Sequence, residues 1–112
     1  MNRRRGRKLV SFVALDRQML KSPEWRTGLT SSEKILYIHL KHKFVGWNNG
    51  LIELHYSELT GFVARATIAK AFRGLERKGW IMREEPYGGI PHHPVKYRLT
   101  GKYDPTIDKY GL

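Results

Sequence analysis

The sequence predicts an α+β domain, mainly helical, in which a small helical core carries one β-hairpin. Three observations lead to this class. Thr30-Ser31-Ser32-Glu33 opens a helix with a capping-box pattern, and Ala64–Lys78 carries a single apolar stripe at helical spacing that stops at Gly79. Two strand-like runs, 80–84 and 95–99, flank a loop with three prolines and a Gly-Gly pair. With 112 residues the chain is one domain, and 40% hydrophobic content gives it enough apolar surface for a core without metal or disulfide support. The absence of cysteine excludes disulfide scaffolds, thiolate zinc sites, iron–sulfur clusters and thiol nucleophiles.

Taken in order, Phe12-Val13-Ala14-Leu15 reads as an extended or helix-leading segment, and Asp16 caps a short helix through Leu20-Lys21. Ser22-Pro23 starts a second short helical turn that holds Trp25 and stops at Gly28. The helix opened at Thr30 places Leu36, Leu40 and Phe44 on one side and Ile35 and Ile38 on another, so it is expected to be central and contacted from two directions. Trp47-Asn48-Asn49-Gly50 is a turn, followed by one short strand at Leu51–Leu54. Ser57 is expected to cap a one-to-two-turn helix ended by Gly61, and the helix from Ala64 or Arg65 to Lys78 follows. The chain divides into a basic flexible arm (1–11), the folded domain (12–100) and a C-terminal tail (101–112) with few core candidates, read as a surface segment.

The net charge of +11 points to a polyanionic partner, and its placement says more than its size. Arg3, Arg4, Arg5, Arg7 and Lys8 carry five positive charges with no acid among the first eight residues. The segment 64–78 carries Arg65, Lys70, Arg73, Arg77 and Lys78 against Glu76 alone. Those two segments hold +9, and the other 89 residues hold +2. The apolar run Leu9–Leu15 ends at Asp16-Arg17 without a cleavage pattern, and no run reaches the ~18 apolar residues of a spanning helix. A cytoplasmic, nucleoid-associated protein with no membrane partner is the expectation.

At 100° per residue, Ile68, Phe72 and Leu75 fall within an arc of about 60°, with Ala71 beside them. Ala66, Lys70, Arg73 and Arg77 lie diametrically opposite, and Glu76 lies nearer the stripe, placed to pair with a flanking cation. Ordinary solvated faces mix signs so that spaced pairs attract. A single-sign face favours an anionic ligand. Small residues at 66 and 69 permit close approach to a groove about 12 Å wide. Thr67 near the helix start supplies a phosphate hydrogen bond, Lys70 and Arg73 are the base-edge candidates, and Arg77 and Lys78 are placed for phosphate.

The run Ser57-Glu58-Leu59, Ala64-Arg65-Ala66-Thr67-Ile68-Ala69-Lys70-Ala71-Phe72, Leu75-Glu76-Arg77-Lys78-Gly79-Trp80-Ile81, with a Gly/Pro-rich hairpin ending Tyr97-Arg98-Leu99, resembles a winged helix-turn-helix domain. It is most similar to those of phage and plasmid replication proteins and bacterial transcription regulators, over residues 12–100. The resemblance implies a three-helix core plus β-hairpin wing, with 64–78 as recognition helix, 57–60 as the preceding helix and 85–94 as wing tip. Ala64 stands where many relatives have a capping serine, and the Leu59-to-Ala64 spacing is shorter than the commonest one.

The implied function is sequence-specific binding of double-stranded DNA, in replication initiation or transcription regulation. The arm is expected on a minor groove or on phosphates, and the wing cations Lys96 and Arg98, on one strand face, are candidate contacts. RNA binding through arm and helix, or a winged helix used for protein contact, are the alternatives. A homodimer and other replication or transcription proteins are the further partners to consider. His39 and His42 are spaced i, i+3 but have no carboxylate to complete a metal site, and no phosphate loop or nucleophile motif is present, so neither cofactor, metal nor enzyme activity is expected.

Overall fold

A computed structural model describes residues 12–84 and 95–110, with side chains through Asp108. The arm, the wing tip 85–94 and the last two residues lie outside the described residues. Five helices and a two-stranded antiparallel sheet make up the described chain: α1 (Arg17–Lys21), α2 (Pro23–Arg26), α3 (Ser31–Lys43), α4 (Arg65–Arg77), β1 (Ile81–Glu84), β2 (Lys96–Leu99) and α5 (Thr106–Tyr110). This is the mixed, mainly helical architecture that the capping and periodicity signals predict.

The helix starts are where the caps place them. Asp16 accepts from the Met19 N–H at 2.9 Å, Ser22 caps α2, and Thr30 and Glu33 complete both halves of the capping box on α3. Helix α4 ends in a Schellman motif: the Gly79 N–H donates to the Glu76 carbonyl and the Trp80 N–H to the Leu75 carbonyl. Gly79 sits at φ 88°, a conformation that costs other residues energy, and this reversal drops Trp80 straight into the core before β1.

The core fills the space between α3, α4 and the sheet. Leu36, Tyr37 and Leu40 from α3 meet Ile68, Ala71, Phe72 and Leu75 from α4, with Ile81 and Leu99 closing the sheet side. Trp25, Tyr37 and Trp80 form an edge-on triangle with ring centroids 5.2–6.0 Å apart, so the short α2 is held by its tryptophan. Helices α3 and α4 approach most closely at Gly74, where a Cβ would lie 1.9 Å from the Glu33 carboxylate.

Phe12–Leu15 leads into α1 without regular structure, as an extended segment does. Three expectations are corrected. Leu51–Leu54 is reduced to a single bridge, Ile52 to Tyr97, on the side of β2 away from β1. Its place as a sheet edge is taken by Asn49, whose side chain donates to the Leu99 carbonyl at 2.9 Å and accepts from the Leu99 N–H at 2.8 Å. Ser57 does not cap the next segment: a 3₁₀ turn, Tyr56–Glu58, starts instead at His55, whose N–H donates to the Glu58 carboxylate.

The third correction concerns the tail, which is not only a surface segment but adds buried residues to the core. Ile107 is buried, and Asp104 is 1% exposed, accepting from the Tyr37 hydroxyl at 2.6 Å and pairing with Lys41 at 2.9 Å. Lys41 also donates to the Ala14 carbonyl at 2.6 Å, so one ammonium ties the start of the domain, α3 and the C-terminal segment together. Alternating apolar residues do not announce such a contact, because its driving groups are polar and distant in sequence.

Candidate nucleic-acid interface

Helix α4 presents two chemically opposite faces. Ile68, Ala71, Phe72 and Leu75 are buried, whereas Arg65, Ala66, Lys70, Arg73 and Arg77 are exposed and Thr67 is half-buried at the first turn. Ala64 is the N-cap residue but makes no side-chain cap, so the helix begins at Arg65 with unsatisfied N–H groups.

The electrostatics of this face follow from where the acids are engaged. Among the described residues, Glu33 pairs with Lys78, Glu53 with Lys96 and His55, Glu58 with Lys43, Glu84 with Arg98 and Asp104 with Lys41. No carboxylate of the described residues lies within 4.0 Å of Arg65, Lys70, Arg73 or Arg77. Five of the described carboxylates are thus held by cations off this face. Arg65 rests over the Tyr56 ring, 5.4 Å from its centroid, which directs it along the start of the helix.

Three sequence placements change here. Glu76 is exposed and forms no ion pair among the described residues, so the expected pairing with a flanking cation is absent there. Lys78, expected to face phosphate, instead donates to Glu33 at 2.7 Å, because the closure of α3 on Gly74 brings that carboxylate to the end of α4. Lys96 and Arg98 share a strand face, yet each is bound to a carboxylate, Glu53 at 2.6 Å and Glu84 at 2.9 Å. The Lys96 ammonium holds the Glu53 carboxyl below the usual carboxylate range. The two β2 cations are therefore paired, whereas Arg83 of β1 and the outer-face cations of α4 form no ion pair among the described residues.

A depression of about 350 Å³ lies where the start of α3 meets the outer face of α4, lined by Thr30, Ser32, Thr67, Lys70, Arg73 and Arg77 among others. Thr30 and Ser32 are absent from the sequence-derived set because their pattern is fully accounted for by helix capping. Between the 3₁₀ turn, α4 and the hairpin, Tyr56, Phe72 and Tyr97 stack in near-parallel planes, and burial pushes the Tyr97 hydroxyl up to about 12. This aromatic stack fixes the angle between α4 and β2.

His39 packs against the Phe62 ring at 5.0 Å, and no cluster of three metal-ligating side chains occurs among the described residues. No helix of the described residues is long and apolar enough to cross a membrane. The arm cations Arg3, Arg4, Arg5, Arg7 and Lys8 lie outside the described residues. Compared with protein-family models, curated proteins and solved structures, the chain has no significant match.

Proposed function

We propose that the chain is a winged helix-turn-helix module that binds double-stranded DNA sequence-specifically, with α4 in the major groove and the basic arm on the flanking backbone. Its use is replication initiation or transcription regulation of the phage or plasmid type. The observation that carries this reading is the outer face of α4: four cations and Ala66, exposed together, with no described carboxylate within 4.0 Å of the cations. Unpaired cations on a rigid helix, with a small residue near its leading end, suit a groove that has an anionic rim and base edges at its floor. The pairing of Lys96 and Arg98 with carboxylates supports a smaller share of the contact for β2 than for the helix.

Selection of bound sequences from a random duplex library tests the reading. A defined motif is expected, and a spaced or palindromic one would indicate a homodimer. Arg73→Ala should cost about 1–3 kcal/mol on the selected duplex and relax preference at one base pair. Equal affinity for structured RNA at matched salt would favour an RNA-binding protein, and unchanged affinity in Lys70→Ala/Arg73→Ala would favour protein contact.

A further inference from the structure

We propose that the depression between the start of α3 and the outer face of α4 is a seat for one backbone phosphate of a bound duplex, with Ser32 and Arg77 as its donors. The proposal rests on the duplex-binding reading and extends the contact surface to a second helix.

The walls of the seat come from two elements that the fold holds rigidly against each other. Thr30 and Ser32 belong to the start of α3, and Lys70, Arg73 and Arg77 to consecutive turns of α4, which puts hydroxyl and guanidinium donors around one concave space. Glu33 and Lys78 also line it, but they bond to each other at 2.7 Å, and Glu33 accepts from the Thr30 N–H at 2.9 Å. The one carboxylate in the depression is thus already neutralised. Among the described residues, neither the Ser32 hydroxyl nor the Arg77 guanidinium has a hydrogen-bond or ion-pair partner at the seat. A phosphodiester supplies what both lack: acceptor oxygens that take a guanidinium fork and a hydroxyl together.

A phosphate at this position also sets register. It pins the Arg77 end of α4 to the duplex backbone, leaving Arg73 and Lys70 about one and two turns back toward the helix start, over base edges. Arg77 and Ser32 should therefore act on affinity without sequence preference, and Lys70 should act on preference.

The full chain is titrated with a short mixed-sequence duplex and with a selected duplex, as wild type, Ser32→Ala, Ser32→Asp and Arg77→Gln, together with ethylation interference on the phosphates. Ser32→Ala leaves the Thr30–Glu33 cap in place, so it retains the fold. Arg77→Gln should weaken both duplexes by the same factor and make the log–log salt slope shallower by about 0.9. Ser32→Asp should weaken both about ten-fold, as expected for an anion placed against a phosphate. One phosphate whose ethylation weakens wild type should lose that effect in Ser32→Ala and in Arg77→Gln. If these variants bind as wild type while Lys70→Ala/Arg73→Ala loses binding, the seat is wrong and the duplex reading stands. If wild type binds no duplex, both fall.

Discussion

Asp104 is 1% exposed and gathers the Tyr37 hydroxyl, the Lys41 ammonium and the Thr106 hydroxyl around one carboxylate. Burial alone would raise its pKa and disfavour the charged form, but hydrogen bonds from Thr106, Tyr37 and Lys41 outweigh it and hold the carboxyl below the usual aspartate range. The same burial and the Asp104 charge push the Tyr37 hydroxyl far upward, so it stays a donor at every accessible pH. Asp104→Asn keeps the shape but leaves Lys41 buried without its counter-charge. It should lower stability by about 3–5 kcal/mol, read from chemical denaturation. Because the folded pKa lies below the unfolded one, the contribution is present above the ordinary aspartate pKa of about 3.9 and is lost as pH falls through and below it. The Asn variant should consequently show a flatter acid limb than wild type, with the residual slope carried by groups such as Glu53 and Glu58.

At the scale of elements, the contact between α3 and α4 depends on a single missing side chain. Gly74 costs α4 about 1 kcal/mol of helix propensity relative to alanine, yet an alanine Cβ would fall 1.9 Å from a Glu33 oxygen. Glu33 cannot simply swing away, since it caps α3 and holds Lys78. Gly74→Ala should therefore lower the thermal midpoint in the wild-type background and raise it in Glu33→Ala, where only the propensity gain remains. A sign that does not change between backgrounds would mean that the two helices are not registered by this contact. Helix α4 itself was legible residue by residue: its stripe, its outer face and its stop at Gly79 all follow from 3.6-residue spacing and one turn-forming glycine. The strand at Leu51–Leu54 and the Ser57 cap were not, because both depend on which partner lies alongside. Asn49 takes the sheet edge, and Glu58 caps back to His55.

For the molecule as a whole, the net charge of +11 divides into a nearly neutral body and two basic segments. The ion pair of Lys78 with Glu33 leaves four unpaired cations on α4, which with the five of the arm makes nine. If all engage phosphate, the log–log salt slope of duplex binding approaches about −8, and deletion of residues 1–8 should bring it to about −4. A slope unchanged by that deletion would remove the arm from the interface. The sequence by itself determined the starts of α1, α2 and α3, the amphipathic α4, the paired strands and the two basic segments, since each is written in local spacing or local charge. Only the tertiary structure decided which charges are free and which are spent. Lys78, Lys96 and Arg98 look like Lys70, Arg73 and Arg77 in sequence, and they differ in being paired because their carboxylates arrive from 14 to 45 residues away. Chain folding, which brings those carboxylates within hydrogen-bond reach, sets that difference, and no local pattern encodes it.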